Sequence, residues 1–481
     1  MTNSKTTKRA LLSSTLALLM CVAMLIGTTF AWFTDTASTA VNKIQAGTLD
    51  IGLEMWDGEK WVTAEGETLN FKAADNRTDI LWEPGCTYEL PKLRIVNKGN
   101  LALKYQVVIS GINGDAQLNE AIDWYYSVEL TALGGTGWTS LVPGYKLSNF
   151  TTGENYLYPQ AMATIARPNE SVFKIVGKMK ETAGNEYQGL SIDGVSITVV
   201  ATQYNYESDS YNNQYDAGAE YDTEAVTAAE LKNILTADGE VVLDKNYIVT
   251  DAWTSIKLGA VGMPLSVNID GQGHTIYNLT DALVACDPNA SVTIKNLTIS
   301  GANILGDTQE ETNGLSTAAF VAYSDSNCGI VLDNCHVVNS TIISENYMQG
   351  DTLCEPRAAG LVGYVSKSSI STVDTVSITN CSVEDCTITG SNGAAGIIGL
   401  ANMNAKIEGC TIKGNTAIKC TEDRDHGAAK AGTLVGTVAG SVTVTIKNTT
   451  VASTVTLINI NATPVNDGLV GRIVGGTVVV E

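Results

Sequence analysis

The tetrapeptide "GLVG" at Gly360–Gly363 does not stand alone. Near-copies are "ALVA" (Ala282–Ala285), "AFVA" (Ala319–Ala322), "GIIG" (Gly396–Gly399), "GTLVG" (Gly432–Gly436) and a second "GLVG" (Gly468–Gly471). Their first residues lie 37, 41, 36, 36 and 36 positions apart. A second unit recurs between them: "TIKNLTI", "VLDNCHV", "SITNCSV", "KIEGCTI" and "TIKNTTV", starting at Thr293, Val331, Ser377, Lys406 and Thr445. A near-constant period of this length is the signature of a solenoid, in which one coil cannot bury its inward side chains but a stack of coils can. Ile, Val and Leu fill the inward positions. The glycines that define the repeat (Gly360, Gly363, Gly396, Gly399, Gly432, Gly436, Gly468 and Gly471) let the chain turn and let neighbouring coils approach. The reading is a β-solenoid over residues 223–481, with coils from about residue 240.

Just ahead of the repeats, "TEAVTAAELKNILT" at 223–236 has a helical pattern. Val226, Leu231 and Ile234 share a face, and Thr223 or Thr227 is placed to cap it. A helix there covers the open apolar end of the first coil and its unpaired strand edge. Before it runs "QYNYESDSYNNQYDAGAEYD" (203–222), which holds five acids and no base. That composition stays solvated, so 206–222 is read as a linker.

Within a domain placed at residues 32–205, the stretch from about Leu49 to Tyr204 reads as strands. Leu49, Ile51, Leu53 and Met55 alternate with other residues, the period of a half-buried strand. Leu93 and Ile95 precede "NKGN", and Leu101, Leu103, Tyr105, Val107 and Ile109 follow it, a pattern read as a hairpin. Further strands are expected at Trp124–Leu130, Ser171–Met179 and Val195–Tyr204. Short strands without a long helix imply an antiparallel sandwich or jelly roll. The fold class is therefore all-β: a jelly-roll or β-sandwich domain, a capping helix and a β-helix.

The first 31 residues read as an export signal. Lys5, Lys8 and Arg9 form a positive start, Ala10–Gly27 an apolar run, and Thr29 and Ala31 the small-residue exit. Cleavage after Ala31 leaves Trp32 as the new N-terminus; an uncleaved anchor is the alternative. The whole chain of 481 residues carries a net charge of −22, which excludes nucleic acid and anionic lipid as partners. The expected location is extracellular. Nine of the ten cysteines lie beyond the signal, an odd number that argues against a complete disulfide framework.

Two resemblances follow from these motifs. "AAELKNILTADGEVVL" and "VNIDGQGHTI", followed by the coils, resemble the pectate-lyase-like superfamily, and the "GLVG" units resemble GLUG-type repeats of bacterial surface proteins. The resemblance implies a right-handed parallel β-helix and leaves activity open, because such folds serve lyases, hydrolases, adhesins and structural modules alike. "GTTFAWFTDT", "AGTLDI" (Ala46–Ile51), "EPG" (Glu83–Gly85) and "LRIVNKGNLALKYQVVI" (Leu93–Ile109) resemble the TasA/camelysin family of Gram-positive secreted proteins. That resemblance implies a jelly roll, a leader removed by a SipW-type signal peptidase, and assembly into extracellular matrix fibres. The solenoid behind the jelly roll departs from the family pattern. An arm freed at Trp32 and running to about Lys43 can add a strand to the next subunit, with Trp32 and Phe33 as anchors and Val41 in the same segment; the alternative is that the arm folds back onto its own sheet.

Chemistry-bearing residues are sparse. His274, His336 and His426 are the three histidines, and none belongs to a zinc-binding helix motif. His274 sits in a turn, His336 alternates with apolar residues and should face outward, and His426 lies in the charged loop "TEDRDHGAAK" with Glu422, Asp423, Arg424 and Asp425. That loop reads as solvated, with a weak cation site as the alternative. Asp333, Thr379 and Glu408 share one repeat position, flanked by Lys295 and Lys447, and read as a solvated ladder without catalysis. Cys335, Cys381 and Cys410 share the next register and are expected to stack as thiols. No cofactor or metal site is expected. The expected function is a secreted cell-surface or biofilm-matrix component that polymerises with itself or related subunits. The alternative is an adhesin for a polysaccharide or host glycan; a carbohydrate-active enzyme ranks last.

Overall fold

The computed structural model describes residues 49–481 apart from 66, 68, 70, 74–82, 111–112, 115–117, 119–120, 130–141, 146–151, 153–154, 188–191, 194–195, 205–220, 307–315, 325–326, 345–346, 350–351, 355, 367–374, 422–429 and 460–467. The described residues belong to one compact unit.

The N-terminal half is a β-sandwich. One sheet is built around Ile51–Trp56, Leu93–Asn97, Glu170–Met179 and Ile122–Val128, with every described pairing antiparallel. The second sheet has three strands, Asn155–Leu157, Leu103–Ser110 and Ser196–Gln203, in that order. Leu93, Ile95, Phe173 and Ile175 from the first sheet meet Leu103, Tyr105, Val107, Ile109 and Leu157 from the second in one core. Each such side chain contributes roughly 1.5–3 kcal/mol by leaving water.

The expected hairpin across "NKGN" is not formed. Leu93–Asn97 and Leu103–Ser110 lie in different sheets and face each other across the core. Alternating apolar residues satisfy either arrangement, so the turn decides. The Asn97 amide donates to the Leu101 carbonyl at 2.8 Å and accepts from Gly99 N at 2.9 Å. This side-chain turn carries the backbone over the sandwich edge instead of returning it alongside itself.

The C-terminal half is a parallel β-helix with five walls. Wall A runs from Glu240–Val242 through Gly329–Asp333 to Thr477–Val480 and has eight strands. Wall B, also of eight, runs from Thr223–Val226 through His336–Val338 to Thr450–Val451. Walls C and D have five and four strands, and wall E has seven, from Ile256–Leu258 to Val470–Val474. All strand pairs within these walls are parallel, for example Thr298–Ser300 with His336–Val338. Their inward residues form one continuous core from Val226 to Val470.

The repeat units map onto this geometry. In wall E, Val284, Val321, Val362, Ile398, Val435 and Val470 stand in one column, each the last residue but one of its repeat unit. A Cβ on Gly399 would overlap the carbonyl oxygen of Gly363, and one on Gly436 that of Gly399. Gly360 and Gly396 meet the carbonyl oxygens of Gly396 and Thr433 in the same way. Glycine there is thus a requirement of close backbone approach between coils. The second unit is a wall A strand, a two-residue corner whose first residue turns left-handed, and a wall B strand. Its corner residues Asn296, Asn334, Asn380 and Asn448 have φ of 54°, 53°, 55° and 51°, and Gly409 has 66°. Asn is the side-chain-bearing residue best suited to that left-handed conformation.

The helix occupies Ala228–Leu235, not 223–236. Thr223–Val226 is instead the first strand of wall B, paired in parallel with Asn246–Val249. The boundary is set by Thr227, whose side chain accepts from Glu230 N at 3.3 Å while the Glu230 carboxylate accepts from Thr227 N at 2.8 Å. This reciprocal pair ends the strand and starts the helix. Leu231 and Leu235 are fully buried against the first coil, with Ile234 partly so.

The two halves touch. Val108 and Val200, on the outer side of the second sandwich sheet, pack with Ile248 of wall B, and Tyr221, Ala225 and Tyr277 close around them.

Candidate functional site

The described surface offers two regions that chemistry can use. The first is the sandwich edge at Ser196–Gln203. Among the described residues this eight-residue strand pairs on one side only, with Leu103–Ser110. Ile197, Val199 and Ala201 face the core yet are only partly buried. Across the core, Ile51, Leu53 and Met55 are also partly buried.

The second region is the outer face of walls A and B, where the corner asparagines join them. Asp270, Lys295, Asp333, Thr379, Glu408 and Lys447 stand in register on wall A. Lys295 Nζ lies 2.9 Å from Glu240 and 3.3 Å from Asp270. Thr379 Oγ1 and Asn380 Nδ2 both donate to Asp333 Oδ1, at 2.7 and 3.1 Å, which accounts for a threonine between two acids. Lys406 holds the Glu408 carboxyl below its ordinary pKa by hydrogen bond and charge. A glycosidase acid needs the opposite shift, so Glu408 is not poised as the proton donor of glycoside hydrolysis.

On wall B, Thr298, His336, Ser382, Thr411 and Thr450 form an outward column. His336 Nδ1 is 2.8 Å from Ser382 Oγ, and Nε2 is 3.1 Å from Asn334 Oδ1. Asn334 Nδ2 donates to Asn296 Oδ1 at 2.9 Å, and Asn296 Nδ2 donates to Asp270 Oδ1 at 3.0 Å. Partial burial lowers the His336 pKa, the positive charge of Lys413 lowers it further, and Glu384 opposes. Lys413 is paired with Glu384 at 2.7 Å. The histidine's outward position was readable from alternation; its linkage to the corner ladder was not. The sequence signal was the Asn that recurs in "KN", "DN" and "TN" just before the wall B strand.

The remaining candidates fall as follows. His274 N donates to the Gly271 carbonyl at 2.7 Å in the turn between walls A and B. His426 and its acidic neighbours lie outside the described residues, as do Ala31, Trp32, Phe33, Val41 and nearly all of the acidic linker. Cys335, Cys381 and Cys410 are buried free thiols on successive coils. Their Sγ atoms donate to main-chain carbonyls, Cys335 to Ile294 at 3.3 Å and Cys381 to Thr379 at 3.1 Å. Sulfur–sulfur hydrogen bonding, first of all, and burial push the thiol of Cys410 up, which leaves it a poor nucleophile. Among the described residues no group of three or more His, Cys, Asp or Glu is arranged to hold a metal ion, and no helix is long and apolar enough to cross a membrane.

Comparison with protein-family models and with curated proteins returns no match. Among solved structures, the catalytic unit of the thermostable GH87 alpha-1,3-glucanase from Streptomyces thermodiastaticus strain HF3-3 aligns over 84% of this chain and 82% of its own, with 11% identity and a TM-score of 0.15. A likeness of that size carries no argument about activity.

Proposed function

We propose that the protein is a secreted structural component of a cell surface or biofilm matrix. In this reading the leader is removed after Ala31 by a SipW-type peptidase. The arm from Trp32 through Val41 then adds as a strand to the sandwich of the next copy, while the β-helix is displayed. The observation that supports it is the eight-residue edge strand Ser196–Gln203, with Ile197, Val199 and Ala201 half-covered over the core. Among the described residues the outer side of Ser196–Ala201 has no strand partner, and that part of the edge presents main-chain donors and acceptors beside the partly covered core. Head-to-tail addition does not close, so it yields filaments. Deleting residues 32–40 from the mature chain should abolish filaments seen by electron microscopy; unchanged filaments would end the reading.

The alternative is an adhesin. The flat polar face of walls A and B, with its rows of hydroxyls and amides, supports binding of a polysaccharide laid along the stack. Retention on a glycan array by a mature chain that forms no filaments would favour it. Neither reading assigns the chain any cleavage of glycosidic bonds.

A further inference from the structure

With the imidazole neutral, the hydrogen bonds that end on Ser382 have only one consistent direction. The Asp270 carboxylate can only accept, so the Asn296 group facing it is the NH₂. Asn296 Oδ1 then faces Asn334 and must accept from its Nδ2. Asn334 is left presenting Oδ1 to His336, so His336 Nε2 carries the proton and donates. Nδ1 therefore holds a lone pair, and the hydroxyl of Ser382, 2.8 Å away, donates to it. Four coils of the solenoid thus fix the tautomer of one imidazole.

We propose that Ser382 is an activated nucleophile with His336 as its general base, acting on small acyl esters carried by a polymer that lies along wall B. Asn334, Asn296 and Asp270 are positioning residues: they act through the imidazole and do not touch substrate. A serine bound to a neutral imidazole whose second nitrogen is held by a third group is the general arrangement for nucleophilic acyl transfer. Because Ser382 stands in the outward column of wall B, ester groups that project from a chain, such as O-acetyl groups on a sugar, are the class that reaches it.

The chemistry balances. Ser382 Oγ bonds to the acyl carbon as its proton passes to His336 Nδ1. The imidazolium returns that proton to the departing alkoxide, the ester C–O bond breaks, and an acyl-serine remains. Water then attacks this acyl group, losing its proton to Nδ1; the imidazolium passes that proton to Ser382 Oγ as the acyl C–Oγ bond breaks, releasing the acid, free Ser382 and neutral His336. Lys413 lies one coil on from Ser382, two residues along from its register partner Thr411, and its ammonium is paired with Glu384 at 2.7 Å. Burial first and the Lys413 charge second lower the His336 pKa against Glu384, which favours the neutral imidazole that a base requires.

The test uses the mature chain with a fluorophosphonate probe and p-nitrophenyl acetate. A single adduct on Ser382 by peptide mass spectrometry, lost in Ser382→Ala and slowed at least about 100-fold in His336→Gln, is the expected result. Asp270→Asn should slow labelling and, in ¹⁵N spectra of the imidazole, convert a single Nε2–H tautomer into a mixture, a change that mere destabilisation does not produce. No Ser382 adduct, or equal labelling of His336→Gln, overturns the proposal. So does an Nδ1–H tautomer in the unaltered protein, whatever the variants do. None of these outcomes bears on filament formation.

Discussion

In the sandwich, Phe173 pairs with Leu93 on one side and Val128 on the other, partners drawn from distant parts of the chain. In the β-helix, Val362 pairs with Val321 and Ile398, its equivalents one coil back and one coil on. Phe173 and Val362 are both fully buried, yet the two halves store specificity differently. The sandwich depends on which strand meets which. The β-helix depends on the same small set of rules being obeyed in every coil, with glycine where backbones meet and asparagine where the corner turns left-handed.

The sharpest way to break that contrast is to violate one coil rule. Gly399→Val places a side chain against the Gly363 carbonyl, with no space to yield, and should cost upwards of about 3 kcal/mol in urea unfolding. In the sandwich, Gly58 sits at φ 112° in an open hairpin turn, where an added Cβ meets nothing. Gly58→Asn should cost only about 1 kcal/mol. Equal losses would show that the two halves do not differ as described.

Next in size is the seam between the halves. Ile248→Asp buries a carboxylate against Val108 and Val200, at a cost of roughly 2–4 kcal/mol. Calorimetry should then resolve two transitions where the unaltered chain gives one; a single transition in the variant would show that the halves are coupled elsewhere. Asn380→Ala removes a residue that tolerates φ 55° and deletes its bond to Asp333, which should cost about 1–2 kcal/mol. Asn380→Gly should recover most of that, and melting temperatures decide. The smallest effect concerns pH. Burial and Lys413 hold the His336 pKa below 6.5, so the unfolded chain binds the proton more readily. This contribution is complete above about pH 6.5 and is lost as pH falls through the folded value. His336→Gln should flatten that acid-side slope, measured as urea midpoints across the range.

What could be read in advance follows the same division. The solenoid was visible because "GLVG" and "NC" recur at a steady spacing, and periodicity survives ignorance of all contacts. The sandwich pairing across "NKGN" was misread because Leu93, Ile95, Leu103 and Tyr105 alternate identically whether two strands lie side by side or face to face. Asn97, whose amide reaches Leu101 and Leu157, carried the decision. The helix boundary was legible in "TAAE", a capping-box pattern beginning at Thr227, but the apolar Val226 drew the start too early. The relay to Ser382 was hidden for a different reason: its members are 26, 38, 2 and 46 residues apart, and only stacking makes them neighbours.

The helix Ala228–Leu235 closes one end of the coil stack, and that end of the stack is the first to leave the ribosome. A finished lid and a first coil are therefore available before the later coils exist. Each new turn of chain finds a ready template on one side and never needs to search for a distant partner. Growth can run in one direction, at the pace of synthesis, with a single exposed edge at any moment.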